Sequence, residues 1–290
     1  MKRFRSTLFV VMIFLAGCGL ILYPTVSDYW NTRHQSRAIA GYEAGLESLE
    51  EEDYTELLKA AREYNQKLVR KGNRFHPSEK EDAYYRSLLS TENSDVMAAL
   101  EIPAIGAYLP VYHGVDESVL QAGIGHIEGS SLPVGGSSTH CALSGHRGLP
   151  SSTLFSNLNQ VKEGDRFRIY TLNETLTYEV DQIQVVKPEE VDSLDIEEGR
   201  DYCTLITCTP YSINTHRLLV RGVRVEETAE EDGLLPAEKS LAAQSPAQRV
   251  IGHLEPGVRL SLAAIPVLFI VLVILLIRSW SGAKKPDEAE

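Results

Sequence analysis

Cysteine is scarce in this chain, with four in 290 residues, at positions 18, 141, 203 and 208. That excludes a small disulfide-stapled scaffold, which needs a denser framework. No two cysteines are spaced CxxC, the pairing that common structural zinc modules use. Positive charge is also in deficit: 28 Lys and Arg stand against 40 Asp and Glu, a formal net charge of −12. With no basic stripe, nucleic acid is not an expected partner. There is no GxSxG nucleophile elbow, and the local signatures of papain-like and caspase-like proteases are absent. No internal repeat or low-complexity tract occurs.

Long hydrophobic runs are present at both ends. Phe4 to Tyr23 is almost wholly apolar, with Lys2, Arg3 and Arg5 at its start. A bilayer needs roughly 20 such residues, so this stretch is long enough to span or to act as a signal. A second run, Leu260 to Ile277, carries no charge and is bounded by Arg259 and Arg278, with Lys284 and Lys285 beyond. Positive flanks mark the cytoplasmic side, which predicts two spans, both termini inside and the middle outside. "LAGC" at Leu15 to Cys18 resembles a lipoprotein cleavage box that would leave Cys18 acylated; the alternative is a cysteine within an apolar span. The expected segments are 1–27 (anchor), 28–97 (helical), 98–227 (catalytic-size β domain), 228–256 (acidic linker), 257–279 (second span) and 280–290 (tail).

After Pro24 the pattern is helical, first over about Asp28 to Leu49. In "DYTELLKAAREYNQKLVRKG" the residues Leu57, Ala61, Tyr64 and Leu68 recur at helical spacing. Asp53 with Glu56 reads as a capping box at its start and Gly72 as its stop. From Ala98 short β-type runs take over: "ALEIPAI", "YLPVYHG", "HCALSG", "RFRIYTL", "LTYEVDQIQVV", "DYCTLITC" and "RLLVRGVRVE". Gly, Pro, Asn and Asp punctuate them, which predicts an all-β barrel or sandwich.

Three polar groups lie where an apolar strand run begins or ends: His146 in "LSGHRG", Cys208 in "TLITCTP" and Arg217 in "NTHRLLVRG". A cysteine attacks as its thiolate, which a nearby cation favours. A histidine can protonate a leaving amine. An arginine, always charged and rigidly forked, can stabilise an oxyanion. Together they are sufficient for acyl transfer. The plainer reading of a strand cysteine is a small buried hydrophobe. A zinc site on His140, Cys141 and His146 is a further reading, but the usual ligand pairing is missing.

"TLITC" at Thr204 to Cys208 resembles the TLxTC signature of sortases, and "HCALSGHRG" and "NTHRLLVRG" resemble that family's flanking motifs. "IPAIGAYLPVYHG", "GIGHIEGSSLPVGG" and "SGHRGLPSSTLFSNL", with the two apolar spans, resemble its pilin-polymerising class C branch, over about residues 8 to 277. The resemblance implies a mainly β fold, a closed eight-stranded barrel with N-terminal helices and two transmembrane helices. It implies that Cys208 attacks the Thr–Gly bond of an LPxTG-like sorting signal, His146 serves as acid and base, and Arg217 stabilises the tetrahedral intermediate. Leu205 and Thr207 are the expected substrate-binding neighbours. A pilin lysine would resolve the thioacyl enzyme on the outer face of a Gram-positive membrane, with no metal or organic cofactor. The alternatives are a sortase that attaches proteins to peptidoglycan and a non-catalytic tethered scaffold that kept the barrel.

Cys203 and Cys141 each lie five positions before a catalytic candidate, Cys208 and His146. If those strands are neighbours, the two cysteines can approach; reduced core thiols are the alternative to a disulfide. His216 should face away from Arg217 by strand alternation. Class C members carry a lid with Asp-Pro-aromatic over the cysteine. Here His76-Pro77-Ser78 in "NRFHPSEKED" takes that place, so either Phe75 or His76 fills the site differently or the lid is loose. Weak autoinhibition is expected, with Cys208 reacting with a small thiol reagent about as fast as in a chain lacking residues 73–90.

Overall fold

The computed structural model describes residues 2–91 and 94–226. Helix α1 runs over Lys2–Glu47 with Pro24 inside it, so the N-terminal apolar stretch and the helical piece after it are continuous. Its portion from Phe9 is, by length and composition, the one helix among the described residues able to cross a bilayer. The chain divides within α1: residues up to Tyr29 belong to one unit, and Trp30 begins the unit that carries everything below. The acidic linker at 228–256, the second apolar run at 257–279 and the tail at 280–290 lie outside the described residues.

Helix α2 spans Glu51–Leu68. Its capping box starts one turn earlier than the sequence suggests. Glu50 is the N-cap, and Asp53 is the reciprocal partner, accepting from Glu50 N–H at 2.9 Å. A glutamate N-cap is uncommon, which is why Asp53 reads as the cap from sequence. Leu58 and Ala61 join the barrel's own core cluster, and the buried Asn65 exchanges two hydrogen bonds with the Leu132 backbone, at 2.7 and 3.1 Å. Helix α3, Glu79–Ser87, is capped by Ser78 and Glu81 and sends Tyr85 into the same core. The Lys71 ammonium, at 2.6 Å, and Ser78 hold the Glu81 carboxyl down at about 2. This pins the ends of the loop between α2 and α3.

Eight strands close a barrel in the order β1-β2-β3-β4-β7-β8-β6-β5. They are β1 Val96–Ile102, β2 Ala107–His113, β3 Ile124–His126, β4 Thr139–Ser144, β5 Arg166–Thr171, β6 Glu174–Val186, β7 Asp201–Thr209 and β8 His216–Arg224. A short helix α4, Glu117–Ala122, precedes β3. The β1–β5 pairing, with Leu100 opposite Ile169, completes the ring. Closure leaves no open edge to aggregate. β3 has only three residues, too short for an alternation signal, and it is the strand the sequence pattern misses.

β7 decides the site. It pairs in parallel with β4 and antiparallel with β8. Successive side chains alternate between faces. Cys203 and Leu205 enter the main core, whereas Ile206 joins a second, outer cluster with Ala142, Leu194 and Leu219. Cys208 shares the face of Ile206.

Candidate active site

Cys208 and Arg217 are directly opposed across β7 and β8. On the other side the β4–β7 register places Ser144 beside Ile206 and continues past the end of β4. Gly145 N–H donates to Ile206 O at 3.0 Å, and the Thr207 hydroxyl donates to Gly145 O at 2.7 Å. The next residue is His146, two positions past the end of β4, as Cys208 is two positions past Ile206 on β7. Thiol, imidazole and guanidinium therefore come from three adjacent strand ends at one end of the barrel.

Local packing explains the residues around them. A Cβ on Gly145 would lie 2.7 Å from both Ile124 Cδ1 and the Phe155 ring, so only glycine lets the chain turn here. Phe155 N–H donates to His146 O at 3.1 Å and fixes the start of the following loop. Arg147 Nη1 donates to Thr209 Oγ1 at 3.0 Å, tying that loop back to β7. Arg217 Nη1 donates to Asn214 O at 3.2 Å and His216 O at 3.1 Å, so the β7–β8 connection aims the guanidinium. His146 Nε2 is enclosed, with Glu117 Oε2 of α4 at 3.6 Å. Glu117 carried no sequence signal, since nothing in "DESVLQAG" hints at its neighbour.

Other expected residues fall differently. Leu205 is fully buried in the core, and Thr207 is 1% exposed with its hydroxyl on Gly145. Both side chains turn away from solvent; Ile206, on the face of Cys208, is buried beneath Phe75. His216 pairs with Thr209, and its Nδ1 meets the Thr215 hydroxyl at 2.9 Å. The zinc reading fails at His140, whose ring nitrogens contact Asp195 O at 2.8 Å and Thr204 Oγ1 at 2.7 Å. Cys141 and Cys203 are opposed on β4 and β7, as their equal offsets suggest, and both are free thiols.

The lid-like segment is anchored, not loose. Arg74, 8% exposed, donates to Leu194 O at 2.8 Å and to Asp195 Oδ1 at 3.0 Å and lies over the Phe75 ring. Phe75 packs on the outer cluster of Ala142, Leu194, Ile206 and Leu219. His76 is exposed and Pro77 partly so. Phe75 therefore covers the apolar strip beside Cys208, while Cys208 as a residue stays partly exposed. Arg74, the anchor, was not singled out from sequence because a charged residue in a polar loop is ordinarily solvated.

A Sortase domain model matches residues 100–225. Sortase D of Bacillus subtilis (strain 168) is 28% identical over 148 residues, covering 50% of this chain and 72% of that protein. The crystal structure of sortase C1 from Streptococcus agalactiae is 50% identical with a TM-score of 0.64, over 66% of this chain and 100% of that one. Sortase C-1 from Actinomyces oris is 47% identical with a TM-score of 0.57, over 60% of this chain and 99% of that one. A closed eight-stranded barrel, three polar groups on adjacent strand ends and half-identity across the whole of a solved class C structure agree: the chain belongs to the sortase family of transpeptidases, with class C sortases among its close structural neighbours.

Proposed function

We propose that this protein is a membrane-anchored transpeptidase that joins pilin subunits through isopeptide bonds. The observation that carries the reading is the pairing of Cys208 with Arg217 across β7 and β8, with His146 just past the end of the neighbouring β4. Cys208 attacks the carbonyl carbon of the threonine in an LPxTG-like signal. The C–S bond forms as the carbonyl electrons move onto oxygen. Arg217 faces that developing charge, and a fixed donor aimed at an oxyanion is worth more than a mobile one. His146 gives its proton to the departing glycine amine as the C–N bond breaks, and the membrane-bound tail leaves. A lysine amine of another subunit then attacks the thioester, loses a proton to His146 and displaces Cys208.

The apolar portion of α1 supports anchoring through the N-terminus. The apolar run at 257–279 is the proposed second span, and positive flanks on both runs orient the barrel outward. Similarity to Sortase C of Streptococcus pneumoniae, whose crystal structure bears on pilin substrate specificity, and to Sortase C1 of GBS Pilus Island 1 supports pilin polymerisation over attachment to peptidoglycan. The test is complementation of a pilus-bearing host that lacks its own enzyme. Wild-type protein should restore covalent high-mass pilin ladders and Cys208→Ala should not. Monomeric pilin attached to wall fragments would instead identify an anchoring enzyme, and ladders formed by Cys208→Ala would remove the proposed nucleophile.

A further inference from the structure

We propose that Cys141 and Cys203 form an oxidisable dithiol whose disulfide locks β4 to β7 in the register that brings together the strand ends leading to His146 and Cys208. The two residues are direct partners on neighbouring parallel strands. Adjacent strands lie about 4.8 Å apart, inside the Cα separation of roughly 4.4–6.8 Å that a disulfide accepts. Both side chains point into the barrel, Cys141 at 2% and Cys203 at 0% exposure, in one core cluster. Each sits five positions before its group in the candidate site. A bond here therefore fixes the relative height of two residues that must meet for acyl transfer.

The surroundings favour the chemistry. Cys141 and Cys203 lie side by side in the core, with the His126 imidazole near enough to act on Cys141 electrostatically. Tyr85 Oη lies 2.9 Å from His126 Nδ1, and Ser131 O lies 2.9 Å from its Nε2, so this imidazole is held in place. Burial raises a thiol, but in the folded barrel Cys203 and His126 beside it bring Cys141 below the usual thiol range. Burial pushes Cys203 well up. With a small-molecule disulfide as oxidant, one of the two cysteines, as its thiolate, forms a mixed disulfide and expels one thiolate. The other cysteine then loses its proton, attacks that sulfur and expels the second. Two electrons pass to the oxidant, which leaves as two thiols. Neither sulfur is reachable in the closed barrel, so exchange belongs to the open β4–β7 ladder, during folding. The closed barrel then preserves the bond. The inference rests on the outward orientation proposed above, where disulfides persist.

The test uses the full chain in detergent carrying Cys208→Ser, which removes the thiol of the candidate site. It is unfolded, refolded with oxidised and reduced glutathione, acid-quenched, denatured and alkylated. The expected product is two hydrogens lighter, is alkylated at Cys18 alone and yields one linked peptide pair holding Cys141 and Cys203. Its melting temperature should exceed that of the reduced form by roughly 10 °C, and Cys203→Ser should abolish the difference. Alkylation of both residues at every glutathione ratio, or linkage to Cys18 instead, would overturn the proposal. If Cys203→Ser does not fold, the mass measurement still decides. The readout is independent of activity, so its failure leaves the transpeptidase reading intact, and an inactive enzyme leaves the disulfide test valid.

Discussion

Replacing Phe75 by alanine removes the ring that rests on Ala142, Leu194, Ile206 and Leu219 beside the candidate nucleophile. Full burial of a phenylalanine stabilises by about 1.5–3 kcal/mol. Phe75 is partly buried, so half of that range, roughly 1–1.5 kcal/mol, is the stabilisation lost. About 1.4 kcal/mol is a factor of ten in an equilibrium. If a peptide must displace this segment to reach Cys208, its apparent affinity is the intrinsic value reduced by the fraction of open protein. KM for a fluorogenic sorting-signal peptide should therefore fall up to about tenfold in Phe75→Ala, with kcat little changed. Iodoacetamide should alkylate Cys208 at nearly the wild-type rate, because the residue is partly exposed with Phe75 seated. An unchanged KM would refute the covering role, and a tenfold faster alkylation would show that the segment shields sulfur rather than groove. Deleting residues 73–90 is a poorer test than the sequence suggested, since it also removes Tyr85, Leu88 and Leu89 from the core.

Arg217→Lys keeps the charge but loses the fork held by Asn214 O and His216 O; kcat/KM should drop by about 10²–10³, and activity within threefold of wild type would contradict the oxyanion role. Asn65→Ala leaves both Leu132 backbone groups without their partner and should cost roughly 1–3 kcal/mol, read as a lower urea midpoint; an unchanged midpoint would mean that α2 is not anchored there. Burial lowers His113 from 6.5 to about 4, despite the Leu88 carbonyl on its Nε2. The unfolded chain then binds the extra proton, so stability is full above pH 6.5 and is lost as pH falls toward 4, on the order of 3 kcal/mol. His113→Gln should flatten that part of the stability profile, and an unaltered slope would sink the assignment.

The sequence was most legible where one physical signal dominates. Short β-type runs bounded by Gly, Pro, Asn and Asp marked every strand except β3, whose three residues are too few to stand out. Helix α2 was legible from its apolar face, but its start was displaced because a glutamate, not a better capping residue, holds the N-cap. The three candidate site residues stood at strand ends, and the register brings those ends together. What a linear pattern does not carry is direction across a sheet. Leu205 and Thr207 sit in the signature stretch, yet one turns into the core and the other gives its hydroxyl to Gly145. Contacts between distant loops are equally hidden: Arg74 with Leu194 and Asp195, and Glu117 with His146, join segments with no shared local pattern.

Intact-mass spectrometry of the full chain, mixed with a sorting-signal peptide and acid-quenched before any acceptor amine is added, tests the central chemistry most directly. The account predicts a species heavier by the peptide fragment ending at threonine, mapped to Cys208, cleared by hydroxylamine and absent from Cys208→Ala. Peptide cleavage with Cys208 unlabelled, or with the fragment on another residue, would contradict it.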